Sequence, residues 1–273
     1  MSMKRLFALT AIGTLFSLPI ASQAQTSTVN GVTFPVGLVT GGNQLQAGVI
    51  NETLITAPGQ TLQGVGFVAS ITNAASNVVW QDGQNGVRLG FVFDNYLVRN
   101  VIAPTGATPG QVSFTGGAVD FYTLAAGTSL SGSGTAGDIA RIRSGNLFLS
   151  SLAPFADAAG DTLLATIPQG SSLTSFSASS GFGFLDVVGG AARSFFDTNT
   201  FANAFDTGSR GFSDLIFTSS FRTGTGGDFP IGGTANLNAN ANAVAAVPEP
   251  ETYALMMAGL AALGFVARRR RPS

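Results

Sequence analysis

Apolar side chains alternate with small or polar ones along several stretches of this chain, and this period of two constrains the fold more than any other feature. Successive side chains of a β-strand point to opposite faces, so each stretch predicts a strand with one apolar face. We expect each apolar set to face the core of an antiparallel sheet whose other face meets water. The sets are Val65, Phe67, Ala69 and Ile71; Val87, Leu89, Phe91 and Phe93; Phe176, Ala178, Ser180, Phe182 and Phe184; and Leu215, Phe217, Ser219 and Phe221.

Residues that favour tight turns separate these stretches. Glycine supplies positive φ and proline a fixed φ, and these signals occur at 82–86, 104–106, 109–110, 115–117 and 188–190. Many short strands with such breaks predict a mainly β fold, an antiparallel β-sandwich or a jelly-roll-like domain. Residues 191–201 lack clean alternation, and we expect their phenylalanines to lie on a short helix or an irregular loop packed on the sheet.

The first 24 residues have the pattern of a secretory signal peptide. Lys4 and Arg5 precede an apolar run at 6–20, and small residues then lead to a predicted signal-peptidase site between Ala24 and Gln25. The apolar run is short for a membrane span. We therefore expect the export machinery and signal peptidase to act on this chain, and residues 1–24 to be removed.

The middle of the chain has too little positive charge to bind nucleic acid. Residues 25–246 contain seven arginines, twelve acidic residues and no lysine, which gives a net charge of −5. Nucleic-acid binding requires clustered cations that displace counterions from the phosphates. We therefore exclude nucleic acid as a partner.

Two residue types that carry much of protein chemistry are absent from the sequence. It contains no cysteine and no histidine, which removes thiolate and imidazole metal ligands, cysteine nucleophiles and the serine–histidine–acid relay. Without disulfides, stability must come from burial of apolar surface. We predict no catalytic residues, no metal site, no cofactor and no enzymatic activity.

The last part of the chain combines a proline-containing motif, an apolar stretch and a basic cluster. The motif is Val247, Pro248, Glu249 and Pro250; residues 252–267 are uncharged; and Arg268, Arg269, Arg270 and Arg271 follow. Sixteen helical residues reach about 24 Å, short of the ~30 Å hydrocarbon core. The arginines resist translocation and predict a stop-transfer signal, while the prolines hold the motif extended outside the membrane.

This order of motif, span and arginines resembles the PEP-CTERM sorting domain of Gram-negative bacteria. The match includes Pro248-Glu249-Pro250, Tyr253-Ala254-Leu255, Gly259-Leu260 and the arginine run. The resemblance implies that exosortase, a multispanning membrane protease, recognises the motif and removes the tail. It also implies transient passage through the inner membrane to the cell surface or to an exopolysaccharide matrix.

Carboxylate pairs are the acid–base chemistry that the composition leaves open. Glycosidases work with two acids alone, and the candidate pairs are Asp157 with Asp161 and Asp186 with Asp197. Oxygen ligands for calcium would come from Asp82 with Asn85 or from Asp197 with Asn199. Because aspartate and asparagine are common turn residues, we favour turn positions for all of them. Residues 132–137 match G-x-G-x-x-G but lack a βαβ frame, which argues against a dinucleotide site.

Glycan binding would require exposed aromatic faces, which phenylalanines at strand positions do not usually provide. The candidate glycan contacts are Trp80, Tyr96 and Tyr122. Exopolysaccharide is accordingly a candidate partner, although the residues alone do not locate a binding surface.

These patterns divide the chain into four parts. We predict a signal peptide at 1–24, a β-rich extracytoplasmic domain at 25–238, a small-residue linker at 239–246 and the sorting signal with its transmembrane helix at 247–273. The expected function is that of an exported structural or adhesive protein of the cell surface or the extracellular matrix of a biofilm. A polysaccharide-binding module and a carboxylate-only glycan hydrolase remain as alternatives.

Overall fold

The described part of the chain consists mainly of antiparallel strands. The computed structural model describes residues 25–37, 43–130, 134–157, 159–202, 212–224 and 226–242. Every strand pairing within these ranges is antiparallel. The strands are β1 (Thr26–Val29), β2 (Val32–Pro35), β3 (Asn43–Glu52), β4 (Thr61–Thr72), β5 (Val78–Gln81), β6 (Val87–Ile102), β7 (Gly110–Ala125), β8 (Asn146–Leu152), β9 (Leu163–Ile167), β10 (Ser179–Gly189), β11 (Phe201–Ala202), β12 (Phe212–Ser213), β13 (Leu215–Thr223) and β14 (Ile231–Ala239), and the helices are α1 (Ala136–Arg143) and α2 (Arg193–Phe196).

The main sheet is a meander that closes on itself. The strands β3, β4, β6, β7, β8, β10, β13 and β14 pair in that order, and β14 returns to pair with β3. Strand β9 continues the position of β8, since β8 pairs with residues 118–123 of β7 and β9 with residues 110–114. The predicted antiparallel, mainly β fold is confirmed. The sheet nevertheless closes into an eight-stranded barrel instead of dividing into the two sheets of a sandwich, because β14 at the end of the meander pairs with β3 at its start.

The apolar alternation predicted the inward face correctly on two strands. Both sets are buried in the main core or line a cavity inside the barrel, and their members are Leu89, Phe91 and Phe93 of β6 and Leu215, Phe217, Ser219 and Phe221 of β13.

On β4 the alternation predicted the wrong face for Val65 and Phe67, whereas Ile71 is buried in the main core as expected. A Cβ atom at Gly64 would lie 2.3 Å from Cζ of Phe93, and one at Gly66 would lie 2.4 Å from Cζ of Phe91. The two glycines therefore face the interior, where they leave room for the rings of the neighbouring strand. Val65 points outward instead and packs beneath helix α1.

The same inversion occurs on β10. Ser179 and Gly181 line the interior, so the alternating Phe182 and Phe184 point to the outer face. Their rings meet edge to face with centroids 5.0 Å apart, and Phe184 is buried. A buried outer residue of this kind produces the same alternation as a core residue, which is why the sequence pattern does not distinguish the two faces.

The turn predicted at 115–117 is wrong, because these residues lie inside β7. Gly116 and Gly117 have φ of 68° and 115°, and Gly116 pairs with Tyr96 across the long β6–β7 hairpin. A Cβ at Gly117 would lie 2.1 Å from the Tyr96 ring. The glycines bend the hairpin and make room for that ring, so they serve the sheet and do not end a strand.

Helix α1 lies on the outer surface of the barrel, across β4, β6 and β7. The N–H and hydroxyl of Thr135 donate hydrogen bonds to Asp138 Oδ2 at 2.8 and 3.0 Å, which caps the helix. Ile142 is fully buried against Val65. The G-x-G-x-x-G match at 132–137, of which 132 and 133 lie outside the described residues, thus leads into a helix on an antiparallel sheet and not into a βαβ unit.

One end of the barrel is closed by an aromatic cluster, and we call it the sealed end. Phe34 of β2 lies at its centre, with ring centroids 4.9 Å from Phe196, 5.2 Å from Phe195 and 6.1 Å from Phe148. Trp80 of β5, fully buried in the same core, lies next to β2. Helix α2 is the short helix that was one of the two forms expected for residues 191–201.

The last described residues also lie at the sealed end. The N–H of Gly37 donates to the carbonyl of Ala241 at 2.7 Å, and the N–H of Asn242 donates to the carbonyl of Phe195 at 2.7 Å. Ala241 is fully buried. The first four residues of the linker predicted at 239–246 therefore belong to the packed body, which reaches at least Asn242.

Candidate functional site

Most residues of the predicted sorting and processing sites lie outside the described ranges. They are Val247, Pro248, Glu249, Pro250, Arg268, Arg269, Arg270 and Arg271, together with Ala24; Gln25 is the first described residue.

A buried carboxylate, Asp214, holds the loop after α2 against the barrel. It is fully buried, and its oxygens accept hydrogen bonds from the N–H groups of Val187 at 2.8 Å, Thr198 at 2.6 Å and Asn199 at 2.5 Å. Hydrogen bonds to an ionised acceptor are among the stronger ones in proteins. Asp214 thus has a structural role that the sequence did not indicate.

Asp186 lies beside Asp214 because the β10–β13 register pairs Leu185 with Leu215. The pKa of Asp186 is raised to about 6, first by burial and then by its hydrogen bond to Asp214 and the negative charge of that carboxylate. Below this pH the protonated Asp186 is able to donate to its neighbour. The pair is a hydrogen-bonded dyad, and it differs from the two separated carboxyls of glycosidases, which stand about 5 Å or more apart.

Asp197, the predicted partner of Asp186, is nearby but occupied by another contact. Arg193 Nη2 lies 3.2 Å from Asp197 Oδ2, and the charge of Asp197 adds to the repulsion that raises the pKa of Asp186. The Asn199 amide reaches Asp197 at 3.5 Å. Within the described ranges, no set of three acidic side chains is arranged to hold a metal ion.

The other predicted acid and oxygen sites are turn and loop contacts. Asp157 Oδ1 accepts from the N–H of Ala159 and of Asp161 at 2.8 and 2.9 Å, and Asp161 pairs with Arg99 at 3.1 Å. Asp82 forms a two-pronged ion pair with Arg88, with contacts of 3.0 and 2.6 Å. The Asn85 side chain donates to the carbonyl of Gly31 at 2.9 Å. These contacts provide a structural explanation for each residue.

Two of the three predicted glycan-contact residues lie inside the protein. Trp80 is completely buried and Tyr96 is 3 % exposed, so neither ring offers a face to a sugar. Trp80 Nε1 has no hydrogen-bond partner within the described ranges, and burial raises the pKa of Tyr96. The prediction of glycan contacts relied on residue type alone. Both residues lie in strands, and their rings are part of the main core.

Tyr122 is the third predicted contact, and it lies in a polar cluster formed by residues of β6, β7 and helix α1. It is partly exposed, and its pKa is raised by burial and by the charge of Asp120, while Arg143 opposes this shift. Arg143 is ion-paired with Asp94. We call Tyr122, Asp94, Asp120 and Arg143 the outer polar cluster.

The end of the barrel opposite the sealed end contains a mainly apolar cavity of about 50 Å³, which we call the barrel-end cavity. Strand β3 runs from Asn43 at the sealed end to Glu52 at the cavity, ten residues or roughly 30 Å. The residues at the cavity that carry polar groups are Glu52, Thr53, Tyr96, Ser179 and Ser219, and its apolar walls include Leu54, Leu62, Phe93, Val112, Phe114 and Leu163.

Glu52 is the cavity residue that the sequence analysis missed. It is 8 % exposed, and burial raises the pKa of its carboxyl well above the ordinary value. A signal was present, because Glu52 is the only glutamate between residues 25 and 246 and it shares the strand face of the buried Ile50.

Comparison with known proteins assigns the end of the chain but not its body. The family model for the PEP-CTERM protein-sorting motif matches residues 246–271, which confirms the predicted sorting motif. No curated protein and no solved structure matches the chain. Among the described residues, no helix is long and apolar enough to cross a membrane, and the predicted transmembrane helix lies outside them.

Proposed function

We propose that this protein is a structural or adhesive component of the cell surface or the extracellular matrix, delivered there through its PEP-CTERM tail. The observation that carries the proposal is the sorting motif at residues 246–271, which indicates export, a transient membrane-anchored C-terminus and processing by exosortase. Exopolysaccharide and biofilm matrix are the proposed surroundings of the mature protein.

In this proposal the body of the protein acts by binding other surface or matrix molecules and not by catalysis. Its buried acid Asp214 is occupied by three backbone N–H groups, and the aspartates at 82, 94, 161 and 197 are paired with arginines. A closed barrel with one sealed end supports the role of a stable module, since closure removes the edge strands that invite unwanted pairing.

The proposal predicts two new ends on the exported protein. In cells with active exosortase we expect mass spectrometry of the exported fraction to find a chain that starts at Gln25 and lacks the residues after about Pro250. In exosortase-deleted cells, peptides from 252–267 should remain with the protein in the membrane fraction. Intact C-terminal peptides in the exported material of exosortase-active cells would refute this processing.

The outer polar cluster supports polysaccharide binding as a second candidate function. Partly exposed Tyr122 lies beside Asp120 and the Arg143–Asp94 ion pair, and this arrangement combines an aromatic ring with hydrogen-bonding groups that suit sugar hydroxyls. No comparable observation favours a carboxylate-only hydrolase.

For this candidate we expect Tyr122→Ala to weaken retention on the organism's own exopolymer by at least fivefold, because the ring face is lost. Tyr122→Phe is the matched control and should keep most of the retention. The measurement is saturable binding to immobilised polymer, with the thermal midpoint of each variant checked in parallel. Equal retention of wild type and Tyr122→Ala would exclude the cluster as the contact.

A further inference from the structure

Arg222 is a positive charge on the barrel surface that the described residues leave unpaired. The arginines at 88, 99, 141, 143 and 193 each form an ion pair, whereas Arg222 has neither an ion pair nor a side-chain hydrogen bond with any residue that the structure describes. Arg222 is exposed. The nearest acidic residue along the chain, Asp228, accepts a hydrogen bond from the N–H of Ala136 at 3.4 Å. The Arg222 guanidinium is therefore open to an anion from solution.

The strand register places Arg222 in one row with an asparagine. Gly232 of β14 pairs with Arg222 of β13 on one side and with Asn51 of β3 on the other, and directly paired residues point to the same face. This is the outer face, because Asn51 also pairs with Val65, which packs beneath helix α1. Neighbouring strands lie about 4.8 Å apart, so roughly 10 Å separates the Cα atoms of Asn51 and Arg222. Gly232 places no side chain between them.

The Asn51 amide has an unused donor. Asn51 is 3 % exposed, and its Nδ2 has no hydrogen-bond partner among the described residues. Buried side-chain donors are normally paired. A rotation of the amide about its last bond exchanges Nδ2 with Oδ1, so the group is able to donate toward a ligand above Gly232.

A surface groove of about 430 Å³ contains this row, and we call it the Arg222 groove. Three hydroxyl side chains also line it, those of Ser177, Ser220 and Thr234. A second hollow of about 380 Å³ continues from the groove, since Gly48 and Val49 line both. The surface therefore offers a cation, an amide and hydroxyl groups along a path longer than a single small ion needs.

We propose that the Arg222 groove binds an acidic polysaccharide, with a sugar carboxylate held between Arg222 and Asn51. A guanidinium donates two parallel hydrogen bonds to a carboxylate, and the amide supplies a third. The hydroxyls of the groove suit those of the sugar ring, and the second hollow accommodates the next sugar unit. The inference rests on the proposed matrix function and deepens it, because it names the class of polymer and a site on other strands than the outer polar cluster.

The net negative charge of the body does not exclude this ligand. Residues 25–246 carry a net charge of −5, which repels a polyanion at long range. At physiological salt, interactions between exposed charges are largely screened beyond about 8 Å. The contact with Arg222 acts at hydrogen-bond distance, where it outweighs the screened repulsion.

The test is calorimetric titration of the exported protein at pH 7 with trigalacturonate, its methyl ester and acetate. We expect saturable binding of trigalacturonate, at least about tenfold weaker binding of the uncharged ester, and no saturable binding of acetate. Arg222→Gln removes the cation and should weaken trigalacturonate binding at least about tenfold. Arg193→Gln makes the same change at an exposed arginine outside the groove and should leave binding unaltered.

Two further variants test the row itself. Gly232→Val fills the space between Arg222 and Asn51 and should weaken trigalacturonate binding at least as much as Arg222→Gln. Asn51→Leu removes the amide and should weaken binding about fivefold without lowering the thermal midpoint, because the Nδ2 has no partner among the described residues to lose.

Three results would overturn the proposal. They are the absence of saturable trigalacturonate binding, unchanged binding in Arg222→Gln, and acetate binding as tight as that of trigalacturonate, which would reduce the groove to a simple anion site. Each leaves the processing of the exported chain untouched, since mass spectrometry of the chain ends measures that separately. Loss of binding in Tyr122→Ala but not in Arg222→Gln would assign polymer contact to the outer polar cluster instead.

Discussion

Replacement of Asp214 by Ala is expected to lower the free energy of unfolding by about 3–5 kcal/mol, the range of severe single substitutions. The change removes the acceptor of three backbone N–H groups, those of Val187, Thr198 and Asn199. Each buried donor left without a partner costs about 1–3 kcal/mol, and less where water reaches it. Urea unfolding followed by circular dichroism measures the loss.

Asp197→Ala is the matched control for this substitution. Asp197 belongs to the same loop, but its ion pair with Arg193 is partly exposed, and exposed pairs contribute about 0–1 kcal/mol. We expect the control to unfold within about 1 kcal/mol of wild type. If Asp214→Ala proved as stable as Asp197→Ala, Asp214 would not be the anchor of this loop.

The role of Asp214 was beyond prediction from the sequence because it depends on strand register. The sequence suggested a pair of Asp186 and Asp197, which are close along the chain. The partner that shares a hydrogen bond with Asp186 is Asp214, which the pairing of β10 with β13 brings alongside. Spacing along one chain segment does not contain this information, since the register is set by the closed sheet as a whole.

The strands themselves were predictable, whereas the inward faces of some were not. Alternation identifies a strand because side chains alternate across any sheet. On β6 the larger residues, such as Phe91, fill the interior, but on β4 the interior position opposite Phe91 is Gly66. A narrow barrel has room for a ring from one strand only where the neighbouring strand carries a small residue at the paired position. On β4 the small residues, and not the large ones, therefore face the interior.

The sorting tail was predictable from the sequence, whereas the cavity was not. The tail is a local pattern that needs no fold, and its prediction is confirmed at residues 246–271. The cavity gathers side chains from many strands, and Glu52, Ser179 and Ser219 come from β3, β10 and β13. Only the barrel topology brings them together.

Trp80→Ala is expected to lower the free energy of unfolding by about 3–5 kcal/mol, as other truncations of buried large aromatic residues do. Trp80 is completely buried at the sealed end, so its removal leaves a cavity among packed side chains that relax only in part. Trp80→Phe should be much milder. It keeps a ring in the core and removes the indole Nε1–H, which has no hydrogen-bond partner among the residues that the structure describes.

A measurement of polymer binding distinguishes the structural role of Trp80 from the earlier expectation that Trp80 contacts glycans. Under conditions where Trp80→Ala remains folded, its retention on exopolymer should equal that of wild type, because a fully buried ring has no face for a sugar. Thermal unfolding and polymer retention measured on the same samples distinguish the two effects. Loss of retention in a folded Trp80 variant, with an unchanged thermal midpoint, would contradict the burial of this residue and return it to the binding surface.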